Sequence, residues 1–295
     1  MFARVLASSV LLAGCAAPAA SVQQAPPPTD LAASCRGRDG WSDPAPPAHV
    51  FGNVWDVGTC GITVLLVTSD QGHILIDGAT DKAVAAILAN IRAAGFAPTD
   101  IRWILSTHEH NDHVGGLAGL KAATGAKIAA GKDTAEALAR GQIGAEDPQA
   151  TIHQAFPPVA ADRVLTDGDA VAVGPLRLTM HATPVHSPGS TSWTWTSTDN
   201  GGRSQTVTYA DSLTTISADE YRFADHRRRI AAIRSGLDTA AALPCGILLT
   251  PHPSASNMFE RLAGRAPLAD PGACRAYADA ARTKFEARLA KEAGK

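Results

Sequence analysis

The chain has 295 residues, 45% of them hydrophobic and 18% charged, which is enough apolar content to bury a sizeable core and excludes a disordered chain. The formal net charge is −2, with no basic tail, so nucleic acid is excluded as a natural partner. The one basic cluster, His226-Arg227-Arg228-Arg229, reads as a solvated helix face.

Residues 1–14 read as an export signal of the lipoprotein type. Arg4 precedes an apolar run from Val5 to Gly14, too short to span a bilayer. Leu12-Ala13-Gly14-Cys15 resembles a bacterial lipobox, in which Cys15 is lipidated and becomes the mature N-terminus. A competing cleavage site of the small-x-small type stands at Ala17-Pro18-Ala19, but the short apolar stretch behind a single Arg favours lipidation. Residues 15–30 are rich in Ala, Pro, Ser and Gln and read as a flexible tether, leaving 31–295 as one folded domain. Apart from Cys15 the cysteines are Cys35, Cys60, Cys245 and Cys274, none in C-x-x-C spacing. An even number in an exported protein suggests two disulfides.

Within the domain, Gly61–Thr68 is rich in β-branched residues and predicts a strand. Ser69–Gly72 predicts a turn and His73–Asp77 the second arm of a hairpin. Val84, Ile87, Leu88 and Ile91 recur at i, i+3, i+4, i+7 and predict an amphipathic helix ended by Gly95. Ile101–Leu105 predicts a short buried strand, followed by a helix through 114–123 and a strand over Ala126–Ala130. Asp133 with Glu136 three residues on is a capping signature for a helix to Arg140. From Gly141 to about Val164 no periodicity survives, and a loop of this length predicts a lid or pocket wall. Strands follow at Ala170–Val173, Leu176–Ala182, Ser192–Ser197 and Gln205–Ala210. A helix over Ala218–Leu237, a buried strand over Ile247–Thr250 and a terminal helix over Arg275–Ala293 complete the chain. This order fits an α/β fold, an αββα sandwich of two facing mixed β-sheets with helices on the outer faces.

The densest chemistry lies directly after the strand 101–105. His108-x-His110-x-Asp112-His113 puts four potential metal donors into six residues. In an extended chain His108 and His110 project to one side, and neutral imidazoles with a carboxylate suit a borderline divalent ion such as zinc. Two more histidines stand at strand exits, where such scaffolds carry functional loops: His186 in Thr183-Pro184-Val185-His186-Ser187-Pro188-Gly189, and His252 in Thr250-Pro251-His252-Pro253. His181, inside a strand, reads as packed or hydrogen-bonded. His153, alone in the long loop, reads as surface decoration, and His49, His73 and His226 as structural.

These motifs resemble the metallo-β-lactamase superfamily, and within it the class B β-lactamases of the third subclass. The blocks that carry the subclass resemblance are Gly58-Thr59-Cys60-Gly61, Ile76-Asp77-Gly78, Tyr209-Ala210-Asp211-Ser212-Leu213, Thr250–Pro253 and Cys274–Asp279, and it covers about residues 41–290. It implies two zinc ions, one held by His108, His110 and His186, the other by Asp112, His113 and His252. Asp112 also acts in catalysis by orienting the attacking water, and Ser212 and Thr214 hold the substrate carboxylate. With it go the disulfides Cys245–Cys274 and Cys35–Cys60, with no free thiol in the mature domain. The implied activity is hydrolysis of the β-lactam amide bond of penicillins, cephalosporins and carbapenems, conferring antibiotic resistance. The implied protein is a periplasmic monomer that touches the outer membrane only through lipid on Cys15. One departure stands out: Val185 precedes His186 where the family usually has Gly, and a β-branched residue resists positive φ, so the His186 turn is expected to shift. Ser187 for the usual Thr is a mild change. The rival enzymes are a lactonase or thioesterase of the same fold, which bridge the zincs with an Asp for which Asp211 could be mistaken. The non-enzyme rival is a lipid-anchored binding protein, expected to have lost ligands that are all present here. No Ser-x-x-Lys or Gly-x-Ser-x-Gly occurs, so serine chemistry lacks its motif.

Overall fold

Each central strand of the domain carries apolar side chains on both faces, and this dictates layers on either side. The computed structural model describes residues 1–2 and 30–294; nearly all of the expected export signal, Cys15 and nearly all of the expected tether lie outside the described residues. The first helix, α1 (Leu31–Ser34), opens the folded part. Strands β1 (Ala48–Phe51), β2 (Val54–Asp56), β3 (Leu65–Val67) and β4 (His73–Ile76) form an antiparallel meander. After α2 (Val84–Ala93), β5 (Ile101–Leu105) adds parallel to β4. Helices α3 (Asn111–Val114) and α4 (Leu117–Thr124), strand β6 (Lys127–Gly131), α5 (Lys132–Arg140) and β7 (Arg163–Leu165) complete a seven-stranded mixed sheet in sequential order.

The second sheet has five strands in the order β12-β11-β10-β9-β8. Its strands are β8 (Ala170–Val173), β9 (Leu176–Ala182), β10 (Thr191–Thr198), β11 (Ser204–Tyr209) and, beyond α6 (Arg227–Ala242), β12 (Ile247–Leu249). Only β11 and β12 run parallel. Helices α7 (Met258–Leu262) and α8 (Ala273–Ala293) end the chain.

Side-chain alternation assigns each strand residue to a layer. Leu65, Val67, Ile74, Ile76 and Leu105 face the second sheet, where they meet Leu178, Trp193, Val207, Tyr209 and Leu249. Leu66, Leu75, Ile104 and Ile128 face the other way, onto Ile87, Ile91, Leu117, Leu120 and Leu138 of the helices. On the far side α6 and α8 pack through Ile233, Leu237, Ala278 and Phe285. The αββα arrangement is therefore the one expected. Trp193 Nε1 donates to Ser106 O (2.9 Å) and Tyr209 Oη to Thr63 O (2.8 Å). These bonds lock the two sheets together at the end where β5 and β11 exit.

Three local readings change. The strand expected over 61–68 shortens to Leu65–Val67, because buried Asp56 accepts from Gly58 N (3.0 Å) and Val64 N (3.2 Å) and folds 57–64 into a turn. The helix expected from Ala218 begins at Arg227. Before it, Phe223 is drawn into the α6–α8 cluster while Ala224 N donates to Glu292 Oε2 of α8 (2.8 Å), so tertiary contacts hold 218–226 out of an α-helix, leaving one 3-10 turn at Phe223–Asp225. Asp133 caps nothing: α5 starts behind Gly131 without a side-chain cap. The structure contains Cys35–Cys60 and Cys245–Cys274 bonds, with Cα separations of 5.4 and 5.8 Å. Among the described residues no helix is long and apolar enough to cross a membrane.

Candidate metal centre

The site is assembled where several strands exit in one direction. Leaving β5, the chain bends through Thr107 and Glu109 to His110, the extended N-cap of α3 (φ −76°, ψ 149°), so Asp112 and His113 project from a helical turn. The turn between β9 and β10 delivers His186, β11 leads to Asp211 and Ser212, and β12 leads to His252. The donor atoms of His108, His110 and His186 lie within 4.8 Å of one another, as do those of His108, Asp112 and His113. His252 stands at the edge, its Nε2 3.5 Å from Asp112 Oδ2 and its ring centroid 5.1 Å from that of His113. The long loop 141–164 supplies a residue the sequence reading assigned elsewhere. His153 is no surface decoration: its ring lies 3.9 Å from that of His110, tilted by 32°, and it joins His110 and Asp112 in a third donor set. A lone histidine in an aperiodic loop carries no signal of that placement.

Four of the five histidines at the site, all but His113, are held through one ring nitrogen. His108 Nδ1 pairs with Asp211 Oδ1 (2.8 Å), His110 Nε2 with Asp147 Oδ2 (3.0 Å), His186 Nδ1 with Thr214 O (2.8 Å) and His252 Nδ1 with Gly61 O (3.2 Å). Such outer contacts set the tautomer and aim the free nitrogen at a common point. Asp77 supports the floor, accepting from Thr107 N (2.7 Å), Thr107 Oγ1 (2.8 Å) and Tyr209 Oη (3.1 Å). Its φ of 67° is a strained conformation for a non-glycine residue and is of the kind retained at functional sites. None of Asp77, Asp147 and Asp211 was legible as an outer partner from the sequence.

The residues present fit a divalent cation. His108 Nε2 is buried without a hydrogen-bond partner. His113 has both ring nitrogens buried, 3.4 Å from Asp77 Oδ2 and 3.2 Å from Asp112 Oδ2, neither in hydrogen-bonding geometry. Four carboxyl groups (Asp77, Asp112, Asp147 and Asp211) are buried around these imidazoles. Burial pushes Asp211 up to about 8, whereas at Asp112 and Asp147 the neighbouring His113 and His110 outweigh burial and hold the carboxylates charged, which suits bound positive charge. Burial, reinforced by the neighbouring histidines, holds His108 well below the usual imidazole range. Burial and then His110 bring His186 down to about 3, and burial and then His113 bring His252 to about 4. These three imidazoles are therefore neutral donors at neutral pH. His113 differs: burial lowers it, but Asp112 and Asp77 outweigh that and raise it to about 10, so a metal bound there displaces a proton.

The metallo-β-lactamase superfamily pattern matches residues 57–199. The crystal structure of the metallo-β-lactamase MIM-1 from Novosphingobium pentaromativorans is 57% identical and superposes with a TM-score of 0.89, over 90% of this chain and 99% of that one. This chain belongs to the metallo-β-lactamase superfamily. MEM-A1, a subclass B3 metallo-β-lactamase from a soil metagenome library, is 38% identical with a TM-score of 0.82, over 86% of this chain and 99% of that one. A curated relative, a hydroxyacylglutathione hydrolase of Anaeromyxobacter dehalogenans, is 31% identical over 138 residues, 47% of this chain and 43% of the relative. The chain thus spans about half the length of the curated relatives it matches.

Against the metallo-β-lactamase pattern the departure at Val185 resolves simply. Val185 is not among the residues with positive φ, and its side chain is fully buried beside Ile233 and Leu237; the turn accepts a β-branched residue. Thr214 has a task beyond the expected one, since both its carbonyl and its hydroxyl (2.9 Å) contact His186 Nδ1. Ser212 is buried beside Asp211.

Proposed function

We propose that this chain is a zinc-dependent β-lactamase that binds two zinc ions, one at His108, His110 and His186 and the other at Asp112, His113 and His252. The observation that carries the reading is the 57% identity to a solved metallo-β-lactamase over 99% of that enzyme's length. When bound, the metal pair supplies Lewis acidity and a nucleophile at neutral pH. The chain's own residues do the rest. Asp112, 3% exposed and beside both His113 and His252, accepts the hydrogen bond of the attacking water and aims it. The Ser212 hydroxyl donates to the substrate carboxylate, and Thr214 combines that role with holding His186.

The thioesterase alternative is supported by a match to less than half of the relative's length. Asp211, the residue that could be taken for a metal bridge, pairs with His108 Nδ1, the nitrogen opposite the one that faces the metal. This argues for the lactamase reading. The test is hydrolysis of nitrocefin and a carbapenem, with and without chelator and with a glutathione thioester in parallel. Turnover of the lactams that disappears with chelator and returns with zinc is expected. A protein holding two zinc equivalents that cleaves only the thioester would refute the reading. Residues 1–14 are proposed as the signal and Cys15 as the lipid-bearing residue of a periplasmic protein held at the outer membrane. Equal release of wild type and Cys15→Ala into the soluble periplasm would instead favour cleavage after Ala19.

A further inference from the structure

The turn that carries His186 is gripped from both ends by charged side chains of other elements. On the upstream side the Arg229 guanidinium, half-buried at the start of α6, donates through Nη1 to Pro184 O (2.6 Å) and through Nη2 to Val185 O (2.8 Å). These are the two carbonyls directly before His186. On the downstream side the buried Glu109 carboxylate accepts from Ser187 Oγ (2.8 Å) and Gly189 N (3.0 Å). Thr134 of α5 closes that side, donating to Glu109 Oε2 and Gly189 O, each at 3.3 Å. Glu109 lies between His108 and His110, so its grip ties the His186 turn to the other two donors of the first metal position.

Helix α6 is shaped for this contact. Arg229, Ile233 and Gly236 stand at i, i+4 and i+7, on one helix face. Ile233 and Val185 are buried in the same apolar cluster. At Gly236 a Cβ would meet Val185 Cγ2 at 2.9 Å and Pro184 N at 3.0 Å, so the absent side chain makes the notch that Val185 fills. At Gly189 a Cβ would meet Glu109 Oε2 at 2.4 Å, so only glycine lets the carboxylate reach the backbone N–H. The turn therefore does not depend on glycine before His186: the fork of Arg229 and the notch at Gly236 hold its backbone in place.

We propose that Arg229 and Glu109 are positioning residues that preset the His186 turn, so that occupancy of the first metal position depends on the Arg229 fork. The inference rests on the zinc-site reading above. Two carbonyls side by side match the planar, five-donor guanidinium, whereas an ammonium is a point charge that cannot span both with the same geometry. Outer contacts of this kind set metal affinity by ten- to a hundredfold.

The experiment measures the affinity of each zinc equivalent by chelator competition, the absorption spectrum of the cobalt-substituted protein and the melting of the metal-stripped protein. The variants are Arg229→Met, Arg229→Lys and Glu109→Gln, with His186→Ala as reference. Arg229→Met is expected to weaken one equivalent by roughly ten- to a hundredfold, the one His186→Ala removes, and to change the cobalt spectrum in the same bands. The other equivalent should hold within about twofold, and Arg229→Lys should recover part of the loss. Unchanged affinity for both equivalents in Arg229→Met, or equal weakening of both in step with a lower melting temperature, would overturn the positioning role. Should Arg229→Met not fold, Arg229→Lys and Glu109→Gln carry the same comparison. If His186→Ala itself loses no zinc, the metal assignment fails, which is a different result from failure of the grip.

Discussion

Ser212 separates the third subclass from its relatives, because another subclass has a cysteine ligand where this chain has Ser212. A thiolate is a strong zinc ligand and a neutral hydroxyl a poor one. Removing the Ser212 hydroxyl should therefore leave two zinc equivalents per chain. It loses one substrate hydrogen bond worth about 1 kcal/mol, or roughly a fivefold fall in kcat/KM. His252 is different. Its Nδ1 is fixed on Gly61 O at 3.2 Å, and its Nε2 points to within 3.5 Å of Asp112 Oδ2. On the proposed assignment, His252→Ala removes one of three protein donors at the second position. Loss of an outer contact alone costs roughly ten- to a hundredfold in affinity or activity, so loss of the donor should exceed that and bring zinc content close to one per chain. Metal analysis of the two purified variants, with nitrocefin kinetics at fixed free zinc, makes the comparison. Loss of a full equivalent in Ser212→Ala with retention in His252→Ala would refute the donor assignment.

Opening the Cys245–Cys274 bond, which closes a sequence separation of 29, should destabilise the domain by about 3–4 kcal/mol. A Cys245→Ala/Cys274→Ala variant should accordingly melt lower by roughly 7–14 °C; a shift below a degree or two would count against it. Burial pushes the Asp56 carboxyl from 3.8 up to about 7, against the pull of Gly58 N and Val64 N. Because the folded value is the higher one, the stability it contributes is complete below pH 4 and is lost as pH rises to 7, at about 1.4 kcal/mol per unit. Urea unfolding of Asp56→Asn should therefore lack a decline of several kcal/mol between pH 4 and 7 that wild type shows, and parallel curves would exclude that role. His153 packs its ring against that of His110 at a tilt of 32°, so His153→Phe, which keeps an aromatic ring, should retain zinc against chelator as wild type does. His153→Ala should release it several-fold faster, on the order of the 0.5–1.5 kcal/mol such ring contacts carry. Equal release by Phe and Ala variants would point to ligation by His153 instead of packing.

The six proposed donors were legible because their signals are local. Four fall within six residues, and the other two sit in short Pro-containing turns directly after strands. The layered fold was legible for a similar reason, since runs such as Leu65–Val67 and Ile74–Ile76, apolar on both faces, can only be buried centrally. What holds the donors could not be read this way. His108 and Asp211 are 103 residues apart in sequence, His110 and Asp147 37 apart, and nothing in either neighbourhood marks the pairing. Strands β1, β2 and β7 carry no legible signal either, being four, three and three residues long, too short for an alternation to register.

The sequence by itself therefore determined which residue types could bind a metal, the order of the longer strands and helices, and the family those motifs belong to. Spacing along a backbone of fixed geometry is enough for that. Only the tertiary structure decided which imidazole nitrogen is free, that His153 turns inward over His110, and that Val185 settles into the notch at Gly236 without positive φ. Those outcomes depend on side chains from α5, α6 and the loop 141–164 meeting at one point. Contact between such distant segments is set by how the two sheets and their helices pack, which local pattern does not encode.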